Sequence, residues 1–182
     1  MTSLSKQIKF NEKANRSFVD NINLSGRGGA EKKLLSLFCD GTKQINAPLY
    51  DFIQLDGTKI ECKKQENTQW FDIGKYHNLS EEDKNIMMLF ILHNKGKIND
   101  KLYYIPLGEF LNLCCNDTEL AEYGWTWKQI KRQYEAKQES PKIQSKACIR
   151  VKSFVKKYEK QLSYVEFVID PESPLGLILQ NC

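Results

Sequence analysis

Residues 50–65 read YDFIQLDGTKIECKKQ. Two short runs rich in Tyr, Phe, Ile and Thr flank an Asp56-Gly57 turn, which is the pattern of a β-hairpin. Polar residues break both runs: Asp51 the first, Glu61 and Lys63 the second. Register decides whether these charges meet. With a two-residue loop, Asp56-Gly57, Leu55 pairs with Thr58 and Asp51 faces Cys62. With a three-residue loop, Leu55-Asp56-Gly57, Gln54 pairs with Thr58 and Asp51 lies opposite Glu61. A slip of one residue exchanges the faces of a strand. The three-residue loop is a type I turn followed by a residue with positive φ, a position that suits Gly57. This register is the expectation. It sets two carboxylates side by side, puts Lys63 and Gln65 on the face of Glu61, and turns Ile60 and Cys62 the other way, toward packing.

Two apposed carboxylates repel each other, so something positive is expected between them. Lys63 supplies part of it and a divalent cation more. Mg²⁺ prefers oxygen ligands, takes one or two carboxylates and keeps several waters for a phosphate substrate. Such a cation lowers the pKa of a bound water and neutralises charge developing on phosphorus, while a lysine beside it orients or deprotonates the water. An exposed hairpin edge with a cross-strand ion pair is the plainer reading and stabilises little. Tyr50, Phe52, Ile53 and Ile60 argue instead for a buried hairpin.

Outward from the hairpin, residues 3–22 carry charged and apolar positions in a mostly helical pattern. SGRGG at 25–29 breaks it, and AEKKLLSLF at 30–38 reads as a helix ended by Cys39-Asp40-Gly41. Strands are expected at about 49–55 and 58–64, then a short crossover helix over 68–79. Ser80 and Asp83 resemble a capping box that starts one further turn. Strands over 86–93 and 102–106, helices over 107–115, 125–137 and 145–161, and a strand over 163–169 complete the order. The tail from Pro171 is expected to be less ordered, with Leu175, Leu177 and Ile178 available to dock. The fold class is α/β: a mixed central β-sheet flanked by helices, with a helical, basic C-terminal region.

The 182 residues, 41% hydrophobic and 27% charged, suit one soluble domain. The N-terminus lacks the apolar region of a signal peptide, and the longest apolar stretch, IMMLFIL at 86–92, has the length of a buried strand rather than a membrane span. Six cysteines without a CxxC pair and two histidines disfavour structural zinc and fit reduced thiols in the cytoplasm. The net charge of +4 is unevenly spread. Residues 126–160 hold eleven basic side chains against three acidic ones, so this segment carries +8 and the remainder is net acidic. A solvated helix face gives such a run, and so does a phosphate-contacting surface. Lys128, Lys131 and Arg132 can share one helix face. The loop SPKIQSK at 140–146 offers Lys142, Gln144, Ser145 and Lys146 to a DNA groove.

The pattern D-x9-E-x-K across a hairpin resembles the PD-(D/E)XK nuclease superfamily, the fold of most type II restriction endonucleases. The likeness covers roughly residues 26–106. Asp51 matches the first acid, and Glu61 and Lys63 match E-x-K. Tyr50 stands where the family often has proline. The resemblance implies a restriction-endonuclease-like fold and one nuclease domain over 1–182, with a catalytic core about 26–115 and a DNA-contacting region about 125–161. It implies Asp51, Glu61, the Cys62 backbone carbonyl and Glu31 as metal ligands. Lys63 and Gln65 join the two acids as catalytic residues. Apart from the resemblance, GRGG at 26–29 reads as a turn before the helix, from which Arg27 is expected to touch the DNA backbone. Mg²⁺, with Mn²⁺ as a substitute, is the implied cofactor. Double-stranded DNA is the implied substrate, cut sequence-specifically by metal-activated water. A homodimer matched to a palindromic site, within a restriction-modification system, is the implied assembly.

Two other readings stay open. A structure-selective nuclease, such as a junction resolvase or repair enzyme, keeps the chemistry and changes the substrate. A non-catalytic nucleic-acid-binding protein keeps the basic region and predicts metal-independent binding without cutting.

Overall fold

The computed structural model describes residues 7–24, 30–45, 47–65, 70–117, 129, 131–132, 135–136, 148–167 and 177–180. In chain order these form α1 (Arg16–Asp20), α2 (Ala30–Leu34), β1 (Lys43–Gln44), β2 (Phe52–Ile53), β3 (Lys59–Gln65), β4 (Trp70–Asp72), β5 (Met87–Asn94), β6 (Lys97–Ile98) and β7 (Lys101–Pro106). There follow α3 (Leu107–Asn116), β8 (Cys148–Arg150), α4 (Val151–Tyr158), β9 (Ser163–Phe167) and β10 (Leu177–Gln180).

The hairpin adopts the three-residue register. Phe52 pairs with Ile60 and Ile53 with Lys59. Gln54 N–H donates to the Thr58 carbonyl at 2.9 Å, and Gly57 N–H donates back to the Gln54 carbonyl at 2.9 Å. Gly57 has φ +79°, a conformation that costs glycine little because no Cβ is present. The Asp56 carboxylate accepts from Thr58 N–H at 3.0 Å, which braces the turn from within.

The main sheet runs β1-β2-β3-β5-β7-β9-β10, with β6 paired to β5. β3 and β5 are parallel and the other neighbouring pairs antiparallel, so the sheet is mixed. Both faces are covered. Alternate side chains of β5 go to opposite cores: Met87, Leu89 and Ile91 to one, Met88 and Phe90 to the other. The unbroken apolar run therefore reflects a strand buried on both sides. The first core joins α1, α2 and the extended N-terminal residues Ile8 and Phe10. The second joins α3 and α4, with Phe154 set against Phe110 at 4.9 Å and Phe90 at 5.3 Å between ring centroids.

Several expectations are corrected. Of the helix expected over 3–22, only Arg16–Asp20 is α-helical among the described residues. The stretch before it is held extended: Lys9 N–H donates to Gln54 Oε1 at 2.9 Å, and Gln54 Nε2 donates to the Lys9 carbonyl at 2.7 Å. A buried side chain thus imitates a strand partner and overrides the helical period. The crossover expected as a helix over 68–79 is instead β4, which pairs antiparallel with β8, followed by a 3-10 turn at Gly74–Tyr76. Asp72 turns the chain there by accepting from Gly74 N–H at 2.7 Å. The Ser80–Asp83 box forms as expected, with Ser80 N–H on Asp83 at 3.2 Å and Asp83 N–H on Ser80 Oγ at 3.1 Å, and it opens a 3-10 turn at Asp83–Asn85. The last expected helix begins only at Val151, because Cys148–Arg150 is taken up by β4. The tail contributes β10, paired along β9. In the 125–137 stretch, Gln129, Lys131, Arg132, Glu135 and Ala136 are described and helical.

Among the described residues no helix is long and apolar enough to cross a membrane. The five described cysteines are free thiols.

Candidate functional site

The register brings the two acids together. Asp51 sits one residue before β2, and Glu61 is the next residue of β3 after Ile60, the partner of Phe52; Asp51 N–H donates to the Ile60 carbonyl at 2.8 Å. Asp51 Oδ2 accepts from Cys62 N–H at 2.7 Å. That bond reaches across the pair at the point where β2 has ended and β3 continues. Glu61 is almost wholly buried, at 2% exposure, so the plainer reading of an exposed hairpin edge does not hold. Burying a carboxylate is costly unless it is paired and hydrogen-bonded. Here three donors converge on one oxygen, Oε1: Lys63 Nζ, Lys75 Nζ at 2.5 Å and the Tyr76 hydroxyl at 3.1 Å.

The two carboxyls are pushed in opposite directions. Burial and the facing Glu61 charge raise Asp51 to about 6, against relief from the Cys62 N–H and Lys63; Glu31 adds to the repulsion. Burial also raises Glu61, but the Lys63 and Lys75 charges outweigh it and leave Glu61 below the usual carboxylate range. Burial and the neighbouring Lys63 charge lower Lys75, with Glu61 opposing. Burial and the Glu61 charge push the Tyr76 phenol far up, so it remains a hydrogen-bond donor. The Cys62 thiol is raised well above its ordinary value by burial and by Asp51 and Glu61.

Among the described residues no group of three or more His, Cys, Asp or Glu side chains is arranged to hold a metal ion. A smaller set, Asp51 and Glu61, carries the oxygen donors a hard cation prefers. Asp51 Oδ1 and Glu61 Oε2 accept no hydrogen bond from the described residues, while their partner oxygens are taken. Backbone groups alternate sides along a strand. The Ile60 carbonyl and the Cys62 N–H both face the β2 edge, so the Cys62 carbonyl faces it too. Two carboxylate oxygens and one backbone carbonyl, at the edge of a site whose acids repel, are the donors Mg²⁺ or Mn²⁺ accepts together with water.

The other expected residues divide. Glu31 lies in the first turn of α2, near enough for its charge to act on Asp51 and Cys62. Gln65 is buried on the face of Glu61 and Lys63, but its Oε1 accepts from Lys152 N–H at 2.8 Å and so caps the first turn of α4. Lys131 and Arg132 are exposed, and Lys131 lies 3.9 Å from Glu135. Arg27, Lys128, Lys142, Gln144, Ser145 and Lys146 lie outside the described residues.

Lys75 and Tyr76 were not singled out by sequence reasoning. The signal was present in Gly74-Lys75-Tyr76, a basic and an aromatic residue just after a chain-reversing glycine. Only the 3-10 turn, in place of the expected helix, aims both side chains at Glu61.

No protein-family model, no curated protein and no solved structure matches this chain.

Proposed function

We propose that this chain is a divalent-cation-dependent DNA endonuclease of the type II restriction kind, with a restriction-endonuclease-like fold. One observation carries the reading. Asp51 and the buried Glu61 lie close together on the hairpin, each with one oxygen that accepts no hydrogen bond from the described residues, with the Cys62 carbonyl on the same edge and Lys63 beside them. A structural ion pair does not call for two neighbouring acids, whereas a divalent cation that activates water against a phosphodiester is held by such acids.

Asp51, Glu61 and the Cys62 carbonyl would hold Mg²⁺ or Mn²⁺, with Glu31 adding negative charge nearby. When bound, such a cation acidifies water and neutralises charge developing on phosphorus. Lys63 orients the attacking water and faces the phosphate. The water oxygen forms a bond to phosphorus as one phosphorus–oxygen bond of the chain breaks. The proton shed by the water passes to solvent, and the departing oxygen takes one up. Tyr76 keeps Glu61 fixed from its buried side throughout. The exposed lysines of α4, Lys152 and Lys156, and Lys131 and Arg132 contribute phosphate contacts that position the duplex without reading it. A two-fold homodimer would let two such centres cut the two strands.

The test is incubation of the purified protein with a mixed-sequence plasmid in Mg²⁺ or EDTA, beside Lys63→Ala. Discrete fragments that need Mg²⁺ and disappear in the variant are expected. Cutting of branched DNA alone would move the assignment to a structure-selective nuclease. Metal-independent binding with no cutting of either DNA would leave a binding module.

A further inference from the structure

We propose that Lys75 is a second catalytic lysine of the Asp51–Glu61 centre, its ammonium contacting the phosphate that is hydrolysed; this rests on the nuclease reading above.

Glu61 is over-supplied with donors. Lys63, Lys75 and Tyr76 all reach the same oxygen, and one carboxylate is neutralised by one ammonium. Tyr76 is 1% exposed and built into the second core, so it is the donor that stays. The two lysine side chains differ from it: Lys63 is 21% exposed and Lys75 32%. Both ammonium groups therefore stand on the open side of the carboxylate.

They also arrive from different directions. Lys63 extends from β3 itself. Lys75 extends from the 3-10 turn of the crossover, and its Nζ lies 3.4 Å from the Pro48 carbonyl, on the segment that leads into Asp51. The two stems thus start from different elements and bring both ammonium groups to one carboxylate oxygen, close enough together to meet one phosphate. A divalent cation held by Glu61 would repel both ammonium groups. A lysine carries its charge on a flexible four-carbon stem and can follow an anion over several ångströms. With Glu61 occupied, the phosphate is the anion within reach. The structure gives Lys75 no competing carboxylate at ion-pair distance other than Glu61 among the described residues.

The test is single-turnover cleavage of plasmid DNA at saturating protein in Mg²⁺, with DNA affinity measured separately in Ca²⁺. Wild type, Lys75→Met and Lys75→Arg are compared, and melting curves verify that each folds. Removing one preorganised contact to a charge that develops during reaction costs on the order of 100-fold in rate. Lys75→Met is therefore expected to cut at least about 30-fold more slowly, with DNA affinity within about threefold of wild type. Lys75→Arg is expected to recover about tenfold of that loss. If Lys75→Met has no melting transition, Lys75→Gln replaces it with the same expectation. A Lys75→Met rate within about threefold of wild type, or a loss confined to DNA affinity, overturns the assignment and leaves the nuclease reading standing. A wild-type protein that cuts no DNA in Mg²⁺ or Mn²⁺ overturns the nuclease reading itself, and the role of Lys75 with it.

Discussion

Replacing Asp51 by Asn is expected to make the protein more stable, and only above acidic pH. The fold holds this carboxyl half-buried against Glu61, raised from an ordinary 3.8 to about 6. The folded-state value lies above the unfolded one, so the folded chain keeps the extra proton between roughly pH 4 and pH 6. Stability falls as pH rises through that window, and above it the penalty is complete. At about 1.4 kcal/mol per pH unit the full penalty is about 3 kcal/mol, and solvent reaching the half-buried group reduces it to about 1–2 kcal/mol. Asn preserves the shape and still accepts the Cys62 N–H, so little else changes. Urea denaturation in EDTA at pH 8 and near pH 4 measures the difference. Asp51→Asn should exceed wild type by about 1–2 kcal/mol at pH 8, and the gap should close near pH 4. Adding Mg²⁺ at pH 8 should narrow the gap, because a cation that binds the acid pair stabilises wild type. A variant no more stable than wild type at pH 8, or a gap unchanged by pH, would refute the claim that the fold bears a cost at this acid.

Tyr76→Phe removes a buried donor from Glu61 and should cost about 1–3 kcal/mol in urea denaturation, whereas an unchanged midpoint would show the hydroxyl to be idle. Gly57→Ala meets no atom within 4 Å, so its cost is the backbone conformation alone, about 1–2 kcal/mol; a neutral substitution would contradict the positive φ. Phe154→Ala empties the space between Phe90 and Phe110 and should cost about 3–5 kcal/mol, read as a large drop in melting temperature.

What was legible in the sequence follows from how local each determinant is. The hairpin register rests on three adjacent residues, Leu55, Asp56 and Gly57, the last with positive φ, and it brings Asp51 and Glu61 together without help from the rest of the chain. The buried strand at Met87–Ile91 was legible from its apolar run, whose length is that of a strand; that it is buried on both faces came from the structure. The crossover was not legible. Trp70–Asp72 is a strand only because Cys148–Arg150 lies beside it, a partner about eighty residues away in the chain. The N-terminal stretch was misread because its helical period is local, while the side chain of Gln54 that straightens it is not. Lys75 shared the fate of the crossover: within a helix its direction was undetermined, and the 3-10 turn aims it at Glu61. Gln65 was placed on the correct face, and the helix start it caps came from residues far along the chain.

The most direct test of the account is cleavage of supercoiled plasmid in Mg²⁺ by wild type and by Glu61→Gln, with EDTA as the control. Glutamine keeps the size of the side chain and removes the charge a cation needs. The account predicts discrete fragments from wild type, none in EDTA, and cutting slowed on the order of 100-fold or more in the variant. Intact plasmid with wild type, or equal cutting by Glu61→Gln, would contradict it.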